Sequence, residues 1–238
     1  VDLENLKKAQ DYHSDQIINS IPDGVKTILD VGSGSGGLAE KLVNNGYTVD
    51  CVSPSNYLSD VIEEKLKSGV TVHRSTFEKL ELHKEYDIVV FSESFQYVNI
   101  KRSLNKIPLA VRDNGHLLIC DFFRWPGTGS KYLGGGHDWK VFQDCISDHS
   151  FTEIVNKEIT RETARTYDLI NQIINEVADP VRNLSAKYLD SHYPKEMKLL
   201  RWYFKKKIRR INRIYFSGNM TGEMFKKLKT YRVLLYRI

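Results

Sequence analysis

Ile28-Leu29-Asp30-Val31-Gly32-Ser33-Gly34-Ser35-Gly36-Gly37 joins an apolar segment to a run of glycines. Val25 to Val31 has the composition of a short buried strand, and Leu38 to Asn45 has the pattern of a helix that Gly46 stops. Glycines between a strand and a helix let the backbone turn tightly and approach a ligand beside the first N–H groups of that helix. The spacing alone is ambiguous, because Gly32, Gly34 and Gly37 also satisfy G-x-G-x-x-G, a dinucleotide-binding pattern. What separates the readings is Asp30, an acid at the strand's end two residues before the first glycine.

Working outward, residues 3–21 read as a polar amphipathic helix anchored by Ile17 and Ile18 and stopped by Pro22-Asp23-Gly24. Downstream, strands are expected at Thr48–Val52, Thr71–Arg74, Asp87–Phe91, His116–Asp121 and Phe151–Thr160. Helices are expected from Pro54-Ser55 to about Lys67, around Lys101–Val111, and from about Asp138 to Asp148. Asp113-Asn114-Gly115 reads as a turn and residues 127–136 as a glycine-rich loop. From Glu162 to Lys229 the period is helical, with Pro180 and Pro194 dividing it into two or three helices, and Tyr231–Ile238 closes the chain as a strand. Alternating strands and helices predict an α/β fold, a doubly wound sheet covered on both faces.

With Asp30, Gly32, Gly34 and Gly36 matching (D/E)-x-G-x-G-x-G position for position, the chain resembles the class I S-adenosylmethionine-dependent methyltransferases. The resemblance spans roughly residues 20–160, with the C-terminal strand as the family's seventh. It implies a mostly parallel, seven-stranded sheet with an antiparallel last strand and a helical insertion between strands six and seven. One domain is expected, with a covering helix (1–21), a Rossmann-like core (22–160 and 230–238) and an insertion or substrate lid (161–229). The implied cofactor is S-adenosylmethionine, leaving as S-adenosylhomocysteine, with Asp30, Gly32, Ser33, Gly34 and Gly36 around its methionine end. A carboxylate here would repel a pyrophosphate but suits an ammonium group.

Tyr86–Phe91 followed by Ser92-Glu93-Ser94-Phe95-Gln96-Tyr97 looks like the family's fourth-strand motif, whose loop lies beside the methyl donor and so implicates Ser92 and Glu93. Asp113–Asp121 resembles its turn and fifth strand, with Asn114 and His116 replacing the usual residues. Two positions depart from the pattern. Ser53 stands where an acid usually holds the ribose hydroxyls, and a neutral hydroxyl binds more weakly. At Ser75-Thr76-Phe77-Glu78, where an acid often reads the adenine, Thr76 or its backbone would take that role and Phe77 would stack on the base.

Methyl transfer from a sulfonium needs alignment, exclusion of water, and a base when the acceptor is a hydroxyl or ammonium. The candidate bases are His137 in Gly134-Gly135-Gly136-His137-Asp138-Trp139, then Tyr97, Glu93 and His13. A triple glycine before a His and a Trp suits a substrate lid; the plainer reading starts a helix at His137 with Asp138 near its cap.

The 238 residues, 41% hydrophobic and 27% charged, with mean hydropathy −0.42, suit an ordinary soluble enzyme. No run approaches the roughly 18 apolar residues of a membrane span, and no charged-then-apolar leader is expected at the start. Cys51, Cys120 and Cys145 lack metal-ligand spacing, which predicts reduced thiols in a cytoplasmic protein without a metal. Charge is uneven. From Lys195 to Ile238 there are fourteen Lys and Arg against two acids, so this end carries about +12 and the rest about −7. There Leu200, Phe204, Ile208, Ile211 and Tyr215 form an apolar stripe among Lys205, Lys206, Lys207, Arg209, Arg210 and Arg213. A stripe docked on the body is one reading; an acidic or carrier-bound substrate, an anionic membrane surface and RNA are the others.

The leading functional expectation is a methyltransferase acting on a small metabolite. An RNA methyltransferase using the basic tail is the alternative, although Ser92-Glu93-Ser94-Phe95 lacks the Asn/Asp-Pro-Pro-Tyr element of adenine-N6 enzymes. A non-enzymatic cofactor- or partner-binding domain is the third reading, resting on Ser53 in place of an acid.

Overall fold

The computed structural model describes residues 3–128, 133–218 and 220–238. They divide into two compact units, one of Gln10–Pro126, Gly136–Ile159 and Thr230–Ile238, the other of the described residues within 1–9, 127–135 and 160–229.

The first of these units carries the sheet. Its strands are β1 (Thr27–Val31), β2 (Thr48–Val52), β3 (Val70–His73), β4 (Tyr86–Ser92), β5 (Val111–Arg124), the two-residue β6 (His137–Asp138), β7 (Thr152–Glu158) and β8 (Lys229–Arg237). The order is β3-β2-β1-β4-β5-β8-β7, with β6 pairing beside β5. β1 pairs in parallel with β2 and β4, and β4 with β5, whereas β7 and β8 run antiparallel. This is the expected seven-strand path, to which β6 adds a short eighth member.

The expected Asp113-Asn114-Gly115 turn is absorbed into β5 as an irregularity. Tyr86 pairs with Val111 but Ile88 with His116, so four residues of β5 oppose one of β4. Asn114 takes φ +60°, and a Cβ on Gly115 would lie 2.6 Å from the Val111 Cβ, which leaves glycine as the residue that fits. Opposite the irregularity, the Asp87 carboxylate accepts from the Lys26 and Thr27 amides at 2.7 and 2.8 Å and pairs with Arg112, tying the start of β1 to β4.

The helices are α1 (Leu3–Ile18), α2 (Gly37–Asn44), α3 (Asn56–Leu66), α4 (Ile100–Ala110) and α5 (Trp139–Ser147). On one sheet face Leu29, Val31, Val89, Phe91, Leu117 and Ile119 pack on Leu104 and Ile107 of α4 and on Trp139 and Phe142 of α5. By alternation the opposite face carries Ile28, Asp30, Cys51, Val90 and Cys120. The His13 imidazole of α1 meets the Cys120 thiol on that face, at 3.3 Å.

The second unit is helical: α6 (Thr160–Ile173), a π turn at Ile174–Ala178, α7 (Asp179–His192), α8 (Pro194–Tyr203), α9 (Lys205–Tyr215) and α10 (Gly222–Leu228). Among the described residues five helices replace the two or three expected. Pro180 and Pro194 sit in first turns, where a missing N–H costs no bond, so Pro180 does not interrupt the helical path from α6 to α7. Phe204 leaves helical geometry (φ −93°, ψ 12°) and separates α8 from α9. Gly222 fits tightly against α6: its amide donates to Asp168 at 2.7 Å, and a Cβ there would lie 2.6 Å from the Ala164 carbonyl oxygen. Tyr167 stacks on Phe225, with centroids 4.2 Å apart. The apolar stripe from Leu200 to Tyr215 is not buried, contrary to the docking reading.

Candidate functional site

The mouth of β1 is built from backbone. Gly32, Gly34 and Gly36 have φ of +77°, +57° and +78°, the left-handed region that costs other residues about 1–2 kcal/mol each. At Gly32 space also decides, because a Cβ would lie 2.5 Å from that of Ser94. Ser94 is held there by its hydroxyl, which donates to the Val31 carbonyl at 2.5 Å. The Gly32 amide donates to Val52 and the Ser33 hydroxyl to the Asp30 carbonyl, both at 2.8 Å. Gly36 caps α2 with no side-chain bond, leaving that helix N-terminus to the loop.

Asp30 is 1% exposed, and neither carboxylate oxygen has a hydrogen-bond partner among the described residues. Burial pushes its pKa up to about 6, the nearby Ser33 hydroxyl opposing the rise. The same surroundings push the neighbouring Cys51 thiol up to about 12. An orphaned buried carboxylate is costly unless something positively charged or hydrogen-bonding meets it. This one, beside a glycine cradle, fits the ammonium end of the implied cofactor.

Beyond the loop, β4 ends at Ser92, and Glu93 follows in a left-handed conformation (φ +53°). Glu93 accepts from the Tyr231 hydroxyl at 3.0 Å, and the same hydroxyl oxygen lies 2.8 Å from His13 Nε2. With the tyrosine hydrogen directed at Glu93, Nε2 carries the imidazole proton and Nδ1 keeps the lone pair. Burial holds the His13 pKa below its usual value, with Lys41 adding to the fall and Glu93 opposing it, so the ring is neutral near pH 7. Two of the four candidate bases thus come together through Tyr231, which the sequence reading did not select. Its only sequence signal is a tyrosine in the closing strand, 138 positions from Glu93 and 218 from His13.

The other two candidates have different surroundings. His137 Nε2 meets the Phe95 carbonyl at 2.9 Å and its ring stands edge-on to Phe95, while burial lowers its pKa. This histidine braces the turn after β4. Tyr97 is 81% exposed. Trp139 is not a lid residue: it stacks on Phe142 in the core with the Arg232 guanidinium 4.5 Å over its ring. Asp138 caps α5 by accepting from the Lys140 and Val141 amides, as the plainer reading of this segment requires. Residues 129–132 of the glycine-rich loop lie outside the described residues.

Phe77 cannot stack on a base. It is 1% exposed, edge-on to Phe91 in the core, since the short helical turn Phe77–Lys79 points its first ring inward. Thr76 lines a groove with Lys79, Leu82, Arg102, Lys106 and Leu109 that includes no residue of the glycine loop. Ser53 is buried and accepts from the Ser55 amide at 3.3 Å, so it helps form the turn into α3. Asp50 lies on the opposite face from Asp30, bound by Tyr86, Lys84 and His73 at 2.7, 3.0 and 3.1 Å. A buried acid that the sequence reading did not single out, Asp121, accepts from the Gln96 and Phe122 amides; burial still pushes its pKa up to about 7. No cluster of three or more His, Cys, Asp or Glu among the described residues could hold a metal ion. No helix among them is long and apolar enough to cross a membrane.

A family profile described as a methyltransferase domain matches residues 29–119, which run from β1 through the glycine loop into β5. An uncharacterized methyltransferase of Bacillus cytotoxicus is 25% identical over 113 residues, 46% of this chain and 53% of the relative. A ubiquinone biosynthesis O-methyltransferase of Rickettsia typhi is 29% identical over 112 residues, 45% of this chain and 44% of the relative. The match therefore spans about half the length of these curated relatives. Among solved structures, a mycolic acid cyclopropane synthase crystallised with S-adenosylhomocysteine superposes with a TM-score of 0.70 at 15% identity, covering 98% of this chain and 85% of that one.

Proposed function

We propose that the chain is a class I S-adenosylmethionine-dependent methyltransferase that methylates a small metabolite at oxygen, nitrogen or carbon, a reading supported by the methyltransferase-domain profile over residues 29–119 and by its methyltransferase relatives. The observation that carries the reading is Asp30, a buried carboxylate with two unpartnered oxygens beside three left-handed glycines. When bound, S-adenosylmethionine supplies an electrophilic methyl group on a positively charged sulfur with a neutral leaving thioether. Asp30 holds the ammonium end, and the Gly32–Gly36 backbone allows the close approach that side chains would block. Ser92 and Glu93 border the methyl end, at the tip of β4.

Where the acceptor carries a proton, His13 and Glu93 are the proposed bases. A neutral His13 takes up the proton, and Glu93, joined to it through the Tyr231 hydroxyl, stabilises the resulting imidazolium. The small-metabolite reading is supported by the name of the ubiquinone biosynthesis enzyme among its relatives.

The test has two steps. Titration calorimetry should detect binding of S-adenosylhomocysteine but not of NADH. Incubation with methyl-labelled S-adenosylmethionine and a protein-free metabolite extract should then yield a labelled small product identified by mass. Absence of S-adenosylhomocysteine binding refutes the cofactor assignment, and label found only in RNA refutes the small-metabolite reading.

A further inference from the structure

The helical unit turns an unusual surface to solvent. On α7, Val181, Leu184 and Tyr188 follow one another at helical spacing and are exposed, Leu184 by 72%. On α8, Leu199, Trp202 and Tyr203 share a face and are exposed by 64%, 72% and 73%. On α9, Ile208, Ile211 and Tyr215, with Phe204 just before it, fall within an arc of about 60° and are also exposed. The rest of α9 is cationic, from Lys205, Lys206 and Lys207 to Arg209, Arg210 and Arg213. Residues 195–215 hold nine Lys and Arg against one acid, Glu196. Among the described residues only Arg201 of these nine forms an ion pair, with Asp190.

We propose that the exposed apolar and cationic side chains of α7, α8 and α9 dock the protein peripherally on an anionic lipid surface. Cations alone would suit any polyanion, but the aliphatic side chains distinguish the candidates. Leu184, Leu199, Ile208 and Ile211 gain by leaving water only if the partner offers an apolar phase, which a phosphodiester backbone does not. Trp202 and Tyr203 have the amphipathic rings that favour the headgroup boundary. A second copy of this chain would bring the same excess of positive charge against itself. An acyl-chain boundary under acidic headgroups meets both requirements, and basic helices with an apolar face lie in that plane.

Co-sedimentation of the full chain with extruded vesicles tests the proposal. Vesicles with about 30% phosphatidylglycerol should carry the protein down at about 0.1 M salt, and phosphatidylcholine alone should not. Tryptophan emission should shift to the blue on binding, and Trp202→Phe should remove most of the shift, because Trp139 is already in the core and Trp125 is partly buried against it. A Leu199→Asp, Ile208→Asp variant, altered only at exposed positions, should lose at least about tenfold in partition while keeping its helical circular dichroism. Equal sedimentation with neutral vesicles overturns the proposal, as does none with anionic ones. So does single-stranded RNA binding that Leu199→Asp leaves unchanged and that displaces the vesicles, or a dimer in light scattering that buries Trp202.

Discussion

Asp30→Asn should make the unliganded protein more stable at neutral pH while weakening its hold on S-adenosylhomocysteine. The carboxyl's pKa is about 6 in the fold against 3.8 ordinarily, and each unit corresponds to about 1.4 kcal/mol. Because the folded value is raised, the folded state holds the proton more tightly than the unfolded chain. Below about pH 4 both states are protonated and the group costs nothing. Between pH 4 and 6 the unfolded chain ionises first, and above pH 6 the fold bears the full difference, about 3 kcal/mol. Asparagine keeps the shape and removes the titration, although its amide still needs partners. At 2–4 °C per kcal/mol for a chain of this size, Tm at pH 7.5 should rise by up to about 6–12 °C, less whatever the unpartnered amide costs, and the gap should close towards pH 4. Calorimetry across that range, with and without S-adenosylhomocysteine, reads both effects. A ligand at 100 times its dissociation constant adds about 2.7 kcal/mol to the parent and should add much less to the variant. An unliganded variant no more stable than the parent at pH 7.5, or one that gains equally from the ligand, refutes the reasoning.

Gly32→Ala should reduce S-adenosylhomocysteine affinity by at least about tenfold in calorimetry, since the new Cβ meets Ser94 at 2.5 Å in a left-handed backbone. Adding Ser94→Gly should restore part of that loss. Tyr231→Phe removes both bridging hydrogen bonds and should slow methyl transfer by about 10–100-fold, move the His13 titration seen by NMR, and leave S-adenosylhomocysteine binding unchanged. Asp50→Ala should destabilise the fold by about 3 kcal/mol in urea without changing ligand affinity, because Tyr86, Lys84 and His73 lose a buried partner on the far face.

The alternating core was legible because strands buried on both faces declare themselves by composition: Thr48–Val52 is observed at its expected bounds, and β4 extends Asp87–Phe91 by one residue at each end. Asp30 and the glycines were legible because their requirement is local, a strand end meeting a tight turn. Phe77 was misplaced because an aromatic after a strand has the same signature whether it faces a ligand or the core, and only its contact with Phe91 decides. Tyr231 could not be selected, because its partners reach it through the sheet and not along the chain. Docking of the α9 stripe on the body was one of several readings, because an apolar helical face announces that something covers it and not what; the stripe is exposed.

Burial alone does not mark a functional acid in this sheet; the state of its oxygens does. Asp30 and Asp50 stand on adjacent strands and are almost equally buried, yet point to opposite faces. Asp50 has three donors, and they outweigh its burial and hold its pKa below the usual carboxylate range. Asp87 is engaged by two amides and Arg112, and Asp121 by the amides of Gln96 and Phe122. Only Asp30 of these four has both oxygens unpartnered among the described residues. Three of these acids hold the strands and loops in place, so their donors come from the chain. Under the proposed function the fourth is left for a donor from outside, and its position at the tip of β1, beside three left-handed glycines, is where that donor would enter.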